Sequence, residues 1–177
     1  ADQLIYQREG INTAVAIFRY FGSATLYVGG KPDASTNPGD LQTQSFLGHL
    51  PVLFCKEPRT VAVVGYGSGA TVGAALSHRE VRRVDVLEIE QAVIDASPYF
   101  ESINEAPFRD PRTRLVVEDG RIHLTYTDTL YDVITSEPSS PWMAGISNLF
   151  TADFYRIVAK RLAPGGEQVA ADLQGVD

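Results

Sequence analysis

The chain has 177 residues, 44% hydrophobic and 21% charged, enough to bury one core and a small accessory unit. A net charge of −7 without any Lys/Arg cluster argues against a protein whose affinity comes from neutralising phosphates, so nucleic acid is not an expected partner. A single cysteine forbids an intrachain disulfide, Cys/His spacing for zinc is missing, and no apolar run reaches the length of a membrane span.

From the start, Ile11 to Phe21 and Ala24 to Val28 are short runs of β-branched and aromatic residues. Gly22-Ser23 separates them and Gly29-Gly30-Lys31-Pro32-Asp33 closes them, which predicts a small antiparallel β unit over residues 1–38. Asp40 then reads as the N-cap of a helix whose apolar positions are Leu41, Phe46, Leu47 and Leu50 and which ends at Pro51. Cys55 reads as a small buried hydrophobe.

Beyond Pro58 strands and helices alternate: strands near 60–65, 83–88, 114–118, 131–136 and 167–171, helices near 69–77, 90–97, 120–125 and 151–162. Near-continuously apolar strands in such an alternation predict a parallel sheet covered on both faces. The expected fold class is therefore α/β, a doubly wound Rossmann-like domain over 39–177 behind the β unit. His49, His78 and His123 are not spaced as ligands on one helix, and no metal is expected.

The strongest local signal is the strand Val61-Ala62-Val63-Val64, the turn Gly65-Tyr66-Gly67-Ser68-Gly69 and a second strand ending in Leu87-Glu88-Ile89-Glu90. Glycines allow backbone N–H groups close to a ligand, and an acid at the end of the second strand suits the paired hydroxyls of a ribose. Ligands of open α/β sheets bind outside the carboxyl ends of the strands. Here those ends carry Gly65 to Gly69, then Glu88 and Glu90, then Glu118-Asp119-Gly120, then Glu137-Pro138-Ser139-Ser140-Pro141-Trp142. Phosphates would be repelled by these acids and a cationic nucleoside attracted, which favours a sulfonium nucleoside over NAD or ATP.

These residues resemble the spermidine synthases and related polyamine aminopropyltransferases, which share the fold of S-adenosylmethionine-dependent methyltransferases. The resemblance runs through Tyr6-Gln7, Gly48-His49-Leu50-Pro51, the glycine loop, Leu87 to Glu90, Glu118 to Gly120, Tyr131 to Ile134, and Asn148 to Thr151 with Phe154-Tyr155. Gly-His-Leu-Pro and Ser-Glu-Pro-Ser-x-Pro-Trp look closest to a bacterial subgroup often fused to a transporter-like membrane region. The resemblance implies decarboxylated S-adenosylmethionine as co-substrate and an amine acceptor such as putrescine. It implies donor contacts at Gln7, His49, Gly65, Gly67, Ser68, Gly69, Glu88, Ile89, Glu118, Asp119 and Gly120. Among these, Glu88 would meet the ribose and Asp119 the adenine amino group. Glu137 would be the catalytic carboxylate, with Glu137, Ser140 and Trp142 facing the amine substrate.

The departures bear on the amine end. Ser68 stands where the family usually has Asp, Ser140 replaces a second acid after the fourth strand, Glu137 is a lengthened first acid, and Thr43 replaces a tyrosine. Two other readings stay open: a methyltransferase using intact S-adenosylmethionine, and a non-catalytic nucleoside-sensing domain. Glu90 reads either as a site acid or as a helix-start acid, His49 either as a ligand contact or as a packed residue, and Trp142 either as a lid or as an interface residue. His78 and His123 read as surface or packing residues. The resemblance implies a homodimer formed through the N-terminal β region. No signal-peptide pattern precedes the fold, making the cytoplasm the expected compartment. The family fold carries two more strands than this chain, so a fragment, a short variant or a subunit-covered edge is expected.

Overall fold

The structure, a computed structural model, describes residues 3–136, 149 and 151–170, excepting the side chains of 168–170. An antiparallel sheet opens the chain: β1 (Gln3–Glu9), β2 (Ala14–Tyr20), β3 (Ser23–Val28) and β4 (Lys31–Ser35), ordered β1-β2-β3-β4. It has two strands more than the composition runs suggested, and the turn expected at Lys31 to Asp33 is instead the start of β4. Pro32 is tolerated there because β4 is an edge, where a missing N–H costs no ladder bond.

Helix α1 (Pro38–Phe54) differs from expectation at both ends. Its N-cap is Asn37, with Pro38 in the first turn, where an N–H would have no partner in any case. Asp40 instead turns back to β4, accepting from the backbone N–H and hydroxyl of Ser35 at 2.5 and 2.8 Å. The helix continues past Pro51 to Phe54. Proline supplies no N–H to the carbonyl four residues back, but the Thr135 hydroxyl donates to that carbonyl, Leu47, at 3.2 Å. The buried face is Gln44, Leu47, Gly48, Pro51 and Val52; of the apolar positions that marked the helix, Phe46 and Leu50 are exposed, as are Leu53 and Phe54.

The second sheet is wholly parallel, ordered β7-β6-β5-β8-β9, with β5 (Thr60–Val64), β6 (Arg83–Leu87), β7 (Thr113–Val116), β8 (Tyr131–Ser136) and β9 (Leu162–Ala170). Between them lie α2 (Ala70–Leu76), α3 (Gln91–Asp95), α4 (Glu101–Asn104), α5 (Gly120–Tyr126) and α6 (Ala152–Arg161). The short α4 and two 3-10 turns at 97–100 and 107–109 were not expected from the sequence; each is too short to show a helical period. Side chains alternate across β5. Val61 and Val63 join a core shared with α2, α3 and the antiparallel sheet, whereas Ala62 and Val64 face α5 and α6. The chain is thus a doubly wound α/β fold with a small antiparallel sheet packed on its first face. Chain order reverses between β5 and β8, and the crevice outside their carboxyl ends is where this architecture binds ligands.

Candidate functional site

At that crevice the turn after β5 passes through three glycines with positive φ: Gly65 at 87°, Gly67 at 52° and Gly69 at 83°. Side-chain-bearing residues avoid this region, so the path requires glycine. A Cβ at Gly69 would lie 2.3 Å from the Tyr66 hydroxyl, whereas one at Gly67 would meet nothing nearer than Ala34 at 3.5 Å. Gly67 is therefore where the loop is open to a ligand.

The loop is held from beneath by buried polar groups. The Tyr66 side chain turns into the core, its hydroxyl paired with that of Ser97 and its ring 5.0 Å from Phe108. Asn104, fully buried at the end of α4, donates to the Ser68 carbonyl at 2.8 Å and to the Ser97 carbonyl at 3.2 Å, while its Oδ1 accepts from Ala106 N–H at 2.9 Å. Ser68, expected to face the donor, points inward and donates to Gln44 Oε1 on α1; Gln44 in turn donates to the Ser35 carbonyl at 3.3 Å.

Glu88 follows β6 and leans over this loop. Its Oε2 accepts from Tyr66 N–H and its Oε1 from Glu90 N–H, both at 2.8 Å. Only 8% of the residue is exposed. Burial pushes its carboxyl up to about 7 against the pull of those two amides, and the charges of Asp33 and Glu90 add to the rise. Hydroxyl donors or a nearby cation would draw it back to the ionised form. Asp33, at the end of the antiparallel sheet, brings its carboxylate to 3.9 Å from the position a Gly67 side chain would take.

Glu90 is a structural residue. It caps α3 by accepting from Ala92 N–H at 3.1 Å and grips the β1–β2 turn through Asn12 N–H at 2.9 Å and Thr13 N–H at 3.3 Å. Burial works to raise its pKa, but these bonds win and hold it below the ordinary carboxylate value. Ile89 between the two acids is exposed. After β7, Asp119 caps α5 by accepting from Ile122 N–H at 3.0 Å. Glu118 is exposed and meets His123 at 3.2 Å, and a Cβ at Gly120 would strike Val64 at 2.7 Å.

His49 is not brought to this edge. Its Nδ1 lies 2.9 Å from Nε2 of His78, beyond the last turn of α2 and so about 12 Å along the helix from the loop. Burial first, then the charge of His49, lowers the pKa of His78. Gln7 is exposed on β1, whose neighbouring Tyr6 reaches α3 by donating to the Ala92 carbonyl at 2.8 Å. Glu137, Ser140 and Trp142 lie outside the described residues. Ser136, just before them at the end of β8, is 2% exposed, and its hydroxyl has no hydrogen-bond partner among the described residues. Sequence reasoning missed Gln44, Asn104 and Asp33. Only Gln44 left a signal, as a polar residue at the buried helical spacing of Leu47, Gly48 and Pro51.

Among the described residues no cluster of three metal-capable side chains occurs and no helix is long and apolar enough to cross a membrane. A family model described as the spermine/spermidine synthase domain matches residues 41–172. Polyamine aminopropyltransferase 2 of Pseudomonas aeruginosa is 35% identical over 120 residues, 67% of this chain and 34% of that protein. Putrescine N-methyltransferase 1 of Nicotiana tabacum is 31% identical over 170 residues, 93% of this chain and 44% of that protein. The chain thus spans less than half the length of these relatives. A crystal structure of spermidine synthase in complex with the transition state analogue AdoDATO superposes with a TM-score of 0.87 at 23% identity, over 95% of this chain and 57% of that one. Spermidine synthase from Thermotoga maritima gives 0.84 at 24%, over 95% and 56%.

Proposed function

The chain belongs to the spermine/spermidine synthase family, and from that premise we propose that it transfers an aminopropyl group from decarboxylated S-adenosylmethionine to an amine acceptor such as putrescine. The observation that carries the reading is Glu88: a desolvated carboxylate fixed by two backbone amides over an open glycine turn, at the edge where acids accumulate. It suits ribose hydroxyls, and its raised pKa makes a cationic nucleoside the favoured guest. The donor contacts are then Gly65, Gly67, Gly69, Glu88, Ile89, Glu118, Asp119 and Gly120. Ser68 offers its backbone, since its hydroxyl is committed to Gln44.

In the reaction the amine nitrogen attacks the carbon beside the sulfonium. A C–N bond forms, the C–S pair returns to sulfur, methylthioadenosine leaves, and the amine proton passes to a carboxylate. Glu137, the residue after β8, is the carboxylate assigned to that proton, with Ser140 and Trp142 beside the amine. Calorimetric titration with decarboxylated S-adenosylmethionine, S-adenosylmethionine and methylthioadenosine tests the donor. Tighter binding of the decarboxylated form is expected, and preference for the intact form overturns the proposal in favour of methyl transfer. Glu137→Gln is expected to lower turnover at least about a hundredfold while leaving donor affinity within about twofold. Unchanged turnover removes Glu137 from the chemistry.

A further inference from the structure

Four side chains unused by that mechanism form a continuous hydrogen-bonded path across the second face of the parallel sheet. It begins at Asp85, fully buried in β6 and gripped by Arg83 through Nε at 2.7 Å and Nη2 at 2.6 Å. Tyr131, fully buried at the start of β8, donates its hydroxyl to Asp85 Oδ2 at 2.9 Å. On α5, His123 brings Nε2 to 3.3 Å from that hydroxyl and Nδ1 to 3.2 Å from Glu118 Oε2. Glu118 in turn donates its backbone N–H to the Glu88 carbonyl at 3.2 Å. One end of the path lies in the core and the other at the candidate site.

Counting protons along the path decides the state of the ring. Tyr131 has one proton, already given to Asp85; burial, then the Asp85 charge, raises its pKa, so it keeps that proton. Its oxygen is left as an acceptor towards His123, and Nε2 must carry hydrogen. The Glu118 carboxylate only accepts, so Nδ1 must carry hydrogen as well. We propose that His123 is a positioning residue whose two ring N–H groups tie Glu118 to the buried Tyr131–Asp85–Arg83 set, holding the Glu118 carboxylate in one orientation for the nucleoside. This rests on reading that edge as a nucleoside site.

The groups that bear on the ring are Glu118 from the end of β7, Tyr131 from β8, and Asp85 and Arg83 behind it on β6. Arg114 of β7 acts on Tyr131, and Arg161 of α6 binds the Leu124 and Thr125 carbonyls of α5.

Methylthioadenosine, which is uncharged, is titrated calorimetrically into the wild type, His123→Asn, Glu118→Gln and the double variant. His123→Asn is expected to bind about threefold to tenfold more weakly than the wild type. The double variant is expected to be no weaker than Glu118→Gln. An unchanged affinity in His123→Asn or an additive double variant overturns the proposal. Proton NMR of the unliganded protein gives a readout that needs no ligand: two protected imidazole N–H resonances are expected. One should vanish in Glu118→Ala and the other in Tyr131→Phe. A single resonance, or two that survive both changes, also overturns it. Two responsive resonances without any nucleoside binding support the His123 arrangement and overturn the nucleoside reading.

Discussion

The two strand-to-helix turns of the candidate site are held in opposite ways. Gly65 to Gly69 rests on a buried polar floor made of Tyr66, Ser68, Ser97, Asn104 and Gln44. In the second turn Glu118 is exposed, Asp119 half-buried and only Gly120 buried, and the turn is held by the Asp119 cap and by one histidine. A buried polar group without a partner costs far more than an exposed one. The first turn is therefore part of the core's stability, while the side chains of Glu118 and Asp119 in the second can change with little consequence for folding.

The sharpest way to break this contrast is Asn104→Leu, which keeps the volume but leaves the Ser68 and Ser97 carbonyls without their donor. A loss of about 2–4 kcal/mol in urea unfolding is expected. A loss below about 1 kcal/mol would mean that the floor does not support the loop.

A comparable effect is expected from pH. Glu88 titrates near 7 in the folded chain, above its ordinary 4.5. A carboxyl with a raised folded pKa favours the folded state when protonated, so its contribution is full below about 4.5 and is lost as pH rises through about 7. That is a loss of about 3 kcal/mol. Stability measured across that window should fall in the wild type and stay flatter in Glu88→Gln; parallel profiles would assign the pH dependence to other groups.

The smallest effect belongs to the second turn. Asp119→Ala removes a cap and should cost about 1 kcal/mol of stability, yet weaken nucleoside binding about tenfold or more if the side chain meets the adenine. Equal small effects on both would leave Asp119 a cap alone.

Much of the fold was legible because its signals are local. A β-branched strand, a glycine turn and a second strand ending in an acid occupy consecutive residues from 60 to 88, and the expected acid, Glu88, is the one found over the loop. Glu90, two residues on, has the same charge and an equally plausible place in the sequence. Its distinct role depends on the β1–β2 turn, 77 and 78 residues away. The helix start at Pro38 had a local signal in proline's preference for the first turn, but Asp40 competed with it as a capping residue. The helix end had none, because the hydroxyl that satisfies the Leu47 carbonyl freed by Pro51 lies 88 residues beyond Leu47.

Residue order thus determined the parallel sheet, the glycine turn and the acids at its edge, since each depends on neighbours within one strand or one turn. The tertiary structure decided which polar groups became the floor and which met at the surface. Gln44 reaches Ser68 across 24 residues, Asn104 reaches Ser68 across 36, and Tyr131 reaches Asp85 across 46. Such pairs share no periodicity. They form because packing helices against strands leaves each buried polar atom only the partners that close the core.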